Sequence, residues 1–60
     1  MPVVTIQQGP RKVEQKRELV KKITEAFVEA LEVPAESVSV WIQEYQGEDW
    51  AHAGKLIADK

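Results

Sequence analysis

The sequence predicts an α+β protein: a small βαβ protomer with a C-terminal hairpin or arm, which must assemble into an oligomer. Two β-branched runs, Val3 to Gln8 and Val38 to Tyr45, flank one long segment whose apolar residues recur at three-and-four spacing. The chain has 60 residues, and a domain of that size buries only about 60% of the surface its unfolded chain exposes. It has no cysteine and a single histidine, His52. Neither a disulfide nor a zinc site of the usual kind can therefore supply the missing stability. Association with further chains is the remaining route.

The first strand opens at Pro2, a residue well tolerated at the head of a strand. Val4 and Ile6 fall on one face of it, and Val3, Thr5 and Gln7 on the other. Gly9-Pro10 ends the run and leaves Arg11 and Lys12 in a loop. Val13 to Glu32 then reads as a helix, with Leu19, Ile23, Ala26, Phe27, Ala30 and Leu31 forming a stripe towards one core. Its start lacks a Ser, Thr, Asp or Asn cap. Its end is marked by Pro34, which cannot continue a helix and pushes Val33 out of the helical region.

Pro34 to Ser37 is expected to make one short turn. In the second strand Val38, Val40 and Ile42 face the helix, while Ser39, Trp41, Gln43 and Tyr45 face away. Strand, helix, strand of these lengths makes a right-handed unit with a parallel pair. One helix covers one face only, so the face carrying Trp41, Tyr45, Val3 and Thr5 is expected to be an interface between subunits. Gln46 to Asp49 is a turn, Trp50 to Ile57 a hairpin or arm against a neighbouring subunit, and Ala58 to Lys60 a frayed tail. Residues 1–60 thus read as a single domain.

Composition excludes several partners. Eight basic against ten acidic residues give a net charge of −2, which argues against nucleic acid. No apolar run approaches the ~20 residues of a membrane-spanning helix. No signal peptide precedes Pro2, so the expected location is the cytoplasm.

Pro2 is the first candidate for chemistry. Once Met1 is removed, its nitrogen is a secondary amine held on a rigid ring. A terminal amine ionises near pH 8 (about), and burial or nearby positive charge lowers that value into the range of a general base at neutral pH. Arg11 is a candidate carboxylate clamp, because its planar fork matches a carboxylate and stays charged. Trp50 can wall a site against water and strengthen electrostatics inside it. His52, Glu44, Glu48 and Asp49 read as ordinary surface, packing or turn residues.

In order and spacing these residues resemble the 4-oxalocrotonate tautomerase family. Pro2 heads a strand and Gly9-Pro10-Arg11 follows it. Glu14-Gln15-Lys16 opens the helix, Ser37-Val38 leads into the second strand, and Trp50 precedes Gly54-Lys55-Leu56. Gly9-Pro10 and the closing Gly-Lys-Leu-Ile-Ala-Asp look most like the DmpI-type subgroup. The resemblance covers essentially the whole chain. It implies a tautomerase-like βαβ protomer assembled into dimers, usually as a hexameric trimer of dimers. It also implies a small-molecule carboxylate substrate and an isomerase that shuttles a proton on the amino-terminal proline with no metal or cofactor. By position Pro2 matches the catalytic proline, Arg11 the carboxylate-gripping arginine, and Trp50 the aromatic residue that keeps the site apolar.

Two departures accompany it. The first loop is one residue shorter, and the family's second arginine aligns with Ser39, whose hydroxyl carries no charge. The expected activity is keto–enol tautomerisation of small 2-hydroxy-dienoate or enol-pyruvoyl acids. The alternatives are a hydratase or dehalogenase of unsaturated acids on the same fold, or a non-catalytic oligomeric subunit.

Overall fold

A computed structural model describes residues 1–60. Val3–Gln8 (β1) and Ser39–Glu44 (β2) pair in parallel, with Val3 opposite Ser39 and Gln8 opposite Glu44. The helix Val13–Leu31 (α1) makes the crossover between them. Ala51–His52 (β3) and Lys55–Leu56 (β4) form an antiparallel hairpin beyond β2. The expected α+β arrangement, with its parallel pair and C-terminal hairpin, is what the chain adopts.

Alternation along the strands sets the layers. Val4, Ile6 and Gln8 of β1, with Val40 and Ile42 of β2, are half-buried on one face. Val3, Thr5, Gln7, Ser39, Trp41 and Gln43 are exposed on the other, Val3 at 64% and Trp41 at 66%. Across that open face the Gln7 amide donates to Oε1 of Gln43 at 3.3 Å. Such cross-strand pairs hold register without adding a core.

The helix face differs from the predicted stripe. Leu19, Ile23 and Phe27 are half-buried as expected, joined by Val20, Thr24 and Val28, whereas Ala26, Ala30 and Leu31 are exposed. A sheet of two strands covers only a narrow strip of helix. The outlying apolar residues therefore line, with Phe27, an open groove of about 280 Å³.

The ends of α1 are set by local chemistry. Its N-cap, Lys12, has no side-chain acceptor, so only half of a capping box forms: the Lys12 N–H donates to Oε1 of Gln15 at 3.4 Å. At the other end Glu32 adopts the left-handed conformation (φ 56°, ψ 41°) and its N–H reaches the Val28 carbonyl at 3.0 Å. The helix thus stops at Leu31, one residue before the expected end.

Ala35–Ser37 forms the expected turn, as a 3-10 element in which the Ser37 hydroxyl donates to the Pro34 carbonyl at 2.8 Å. That turn takes the Val38 N–H for the Ala35 carbonyl, which is why β2 starts at Ser39 and not at Val38. The C-terminal tail is ordered, not frayed. Ile57–Asp59 is a 3-10 turn whose Ala58 backbone approaches Gly47 so closely that a Cβ there would sit 2.9 Å from the Ala58 nitrogen. Gly47 is the residue type that this approach permits.

No residue of the protomer is fully buried. The chain spans 43 × 23 × 13 Å with a radius of gyration of 14.7 Å, against about 10 Å for a compact chain of this length. Both strands also keep one unpaired edge, a ready template for further strands. A slab this thin leaves apolar surface on both faces for further chains to cover.

Two outcomes follow from this architecture. Sedimentation at micromolar concentration is expected to show an assembly and no folded monomer. In the two-residue loop of the β3–β4 hairpin, Ala53 has φ 53° and Gly54 φ 79°, the pattern of a type I′ turn, which favours Asn at the first position. Ala53→Asn is expected to raise stability by about 0.5–1 kcal/mol, read as a higher urea midpoint at unchanged slope.

Candidate functional site

Parallel pairing separates the candidate residues into two groups. Pro2 and Ser39 lie where both strands begin, and the Ser39 N–H donates to the Pro2 carbonyl at 3.0 Å. This bond, the first of the sheet, fixes the proline ring relative to β2. Pro2 is half-buried, whereas Met1 in front of it is 96% exposed. The Ser39 side chain belongs to the open face of the sheet.

Arg11 and Trp50 lie where the strands end. A strand of six residues is about 20 Å long, so Pro2 and Arg11 of one protomer cannot touch the same small molecule. A site holding both must combine the leading end of one subunit with the trailing end of another.

The trailing end carries two neighbouring clefts that share Gln8. One, of about 450 Å³, is lined by Gln7, Gln8, Tyr45, Asp49 and Trp50. The other, of about 160 Å³, is lined by Gln8, Arg11, Gln15, Lys16 and Leu19. Arg11 and Trp50 thus flank Gln8 from different sides and do not share a cleft within one protomer. Trp50 remains 47% exposed, and its carbonyl is held by the Ile57 N–H at 2.7 Å. The Arg11 guanidinium makes no hydrogen bond and no ion pair inside the protomer.

Glu44 occupies the corner between the clefts and the loop. It accepts from the Arg11 backbone N–H at 3.1 Å and pairs with Lys16 Nζ at 3.1 Å. The Lys16 hydrogen bond first, and the Arg11 N–H second, hold its carboxyl below the usual glutamate value. The Gln8 amide lies near enough to add slightly to this effect, yet its Nε2 is enclosed without a partner at bonding distance. Sequence reasoning set Glu44 aside and passed over Lys16 and Gln8. The parallel register was the available signal, since it places Gln8 opposite Glu44.

His52 is exposed on β3, in keeping with its reading as a surface residue. No group of three or more His, Cys, Asp or Glu side chains converges anywhere in the protomer. No helix is long and apolar enough to cross a membrane.

These features define a class of protein: a two-stranded parallel βαβ subunit with a proline at the head of its first strand and an unpaired arginine beyond its far end. Residues 2–60 match the sequence model of the tautomerase enzyme family. The chain is 39% identical to a probable tautomerase of Halalkalibacterium halodurans, with both chains covered in full. It is 42% identical to a 2-hydroxymuconate tautomerase of Bacillus subtilis, over 98% of this chain and 97% of the other. A crystal structure of a 4-oxalocrotonate tautomerase homologue superposes with a TM-score of 0.93 at 38% identity, covering 100% of this chain and 97% of that one. The chain belongs to the tautomerase family and is an isomerase of the 4-oxalocrotonate tautomerase kind.

Proposed function

We propose that the chain, as one domain over residues 1–60, is a cofactor-independent keto–enol tautomerase of small 2-hydroxy-dienoate or enol-pyruvoyl acids. Pro2, freed by removal of Met1, is its general base. The observation that carries this reading is the setting of Pro2: its carbonyl is locked to Ser39 while Met1 stands almost wholly in solvent, open to an aminopeptidase. The resulting amine would be both fixed and unblocked.

The chemistry then runs on one proton. The Pro2 amine takes the proton of the substrate 2-hydroxyl, and the oxygen's electron pair closes the 2-keto group. The carbon–carbon double bond shifts, and the protonated amine returns the proton to carbon at its far end. Arg11 of a neighbouring subunit holds the carboxylate through charge-assisted hydrogen bonds. Trp50 shields the site from water, which strengthens that interaction. Ser39, beside Pro2, supplies a neutral hydroxyl where the resembling family carries an arginine. The working assembly in this reading is a cytoplasmic homo-hexamer, a trimer of dimers.

Hydration or dehalogenation by the same fold needs a carboxylate free to activate water. Glu44 is already committed to Lys16 and the Arg11 N–H, whereas Asp49 lines the larger cleft beside Trp50 without a side-chain partner, so an unchanged tautomerase rate in Asp49→Asn is the outcome that favours the tautomerase reading.

The test uses Met1-processed protein, verified by intact mass, with phenylenolpyruvate and 2-hydroxymuconate as substrates. Pro2→Ala is expected to lower kcat by about 10²–10⁴-fold. Arg11→Ala is expected to raise KM by about 10–100-fold, the loss of one charged hydrogen-bonded partner. Because the two residues come from different subunits, co-refolding equal amounts of both variants should restore about one quarter of wild-type sites. Unchanged rates in Pro2→Ala would rule out Pro2 as the base, and a silent mixture would place both residues in one subunit's site. Ser39→Arg is expected to raise turnover of the dicarboxylate 2-hydroxymuconate more than that of phenylenolpyruvate, because one added oxyanion donor is worth up to about 10²–10³ in rate. Steady-state kinetics on both substrates, with pH profiles, reads this out.

A further inference from the structure

The loop between β1 and α1 has few ties. Gly9 has no neighbour within 4 Å of where a Cβ would stand, and Pro10 has no N–H to donate. The Lys12 N–H reaches back to Gln15 from the helix start. Between these points the Arg11 N–H has one partner, the Oε2 atom of Glu44 at 3.1 Å. The same oxygen receives Lys16 Nζ at 3.1 Å. Glu44 is at the last position of β2, and its side chain is 26% exposed. The sheet's own register therefore sets where this carboxylate stands.

We propose that Glu44 is a positioning residue for Arg11. Its carboxylate fixes the Arg11 backbone to the end of the sheet and occupies the Lys16 ammonium, leaving the Arg11 guanidinium as the unpaired cation of that cleft. The inference rests on the reading of Arg11 as the substrate's carboxylate clamp. A clamp on a loop is useful only if its backbone is held, because misplacement of a binding group by about 1 Å costs much of its effect. A free Lys16 beside it would compete for the same carboxylate as a point charge without the geometry of a fork. Lys16 is the charged side chain that faces Glu44 from α1, Gln8 faces it from β1, and Arg11 meets it through backbone alone.

Two measurements on the assembled protein decide it. The first is the amide signal of Arg11 in wild type, followed by NMR from neutral to acid pH. The Glu44 carboxyl is held below its ordinary value, so the brace is complete from the ordinary glutamate range upward and is released as pH falls through the lowered value. The Arg11 amide is expected to shift with the Glu44 carboxyl and to share its midpoint. An amide that ignores that titration overturns the proposal.

The second is a double-mutant cycle on the binding of trans-cinnamate, a carboxylate that cannot tautomerise, measured by calorimetry. Glu44→Ala is expected to weaken binding about tenfold in an otherwise wild-type chain, with kcat on phenylenolpyruvate changed much less than KM. In an Arg11→Ala background the same change is expected to have an effect within about twofold of none. Equal losses in both backgrounds would mean that Glu44 acts on the fold or on Lys16 and not through Arg11, and would overturn the proposal. Absence of cinnamate binding by wild type overturns it together with the role of Arg11. Binding without turnover overturns only the tautomerase reading.

Discussion

Parallel pairing of β1 with β2 brings the starts of both strands to one end of the protomer and their finishes to the other. Every later feature inherits that polarity. The first bond of the sheet, Ser39 N–H to Pro2 carbonyl, locates the proline. The opposite end of the same register sets Glu44 beside Gln8 and, through Glu44, the backbone of Arg11. An antiparallel pair would have put the head of one strand beside the foot of the other. The length of β1 keeps Pro2 and Arg11 at opposite ends of the protomer, and parallel pairing adds Ser39 to the first end and Glu44 to the second.

Much of the fold was legible because each element satisfies its own local rule. The strands alternate, the helix ends ahead of Pro34, and the short stretch from Trp50 to Ile57 reads as a hairpin or arm. Less legible was the width of the helix face in use. Ala26, Ala30 and Leu31 obey the same periodicity as Leu19 and Ile23, and nothing in a repeat says how many strands lie beneath it. The tail was missed for a similar reason. Its order comes from contact between Gly47 and Ala58, and sequence distance conceals that contact.

The candidate site divides along the same line. Pro2, Arg11 and Trp50 could be named from residue type and order, since a proline behind the initiator methionine, a guanidinium and an indole advertise their chemistry, whereas Ser39 entered only through resemblance to a family with an arginine there. Glu44 and Lys16 could not, because acidic and basic residues are common on surfaces and only a shared oxygen shows what they do. Charge is matched locally at that corner. One carboxylate takes one ammonium and one backbone donor, and the neighbouring guanidinium is left unpaired. Exposed ion pairs add little to stability, so the arrangement is better understood as placement than as reinforcement.

A slab 13 Å thick with nothing fully enclosed also ties folding to concentration. In most small domains folding is unimolecular and indifferent to how many copies are present. Here apolar surface is left for another chain to cover, so the stability of the folded protomer is expected to depend on how many copies are present. That stability should therefore fall as the solution is diluted.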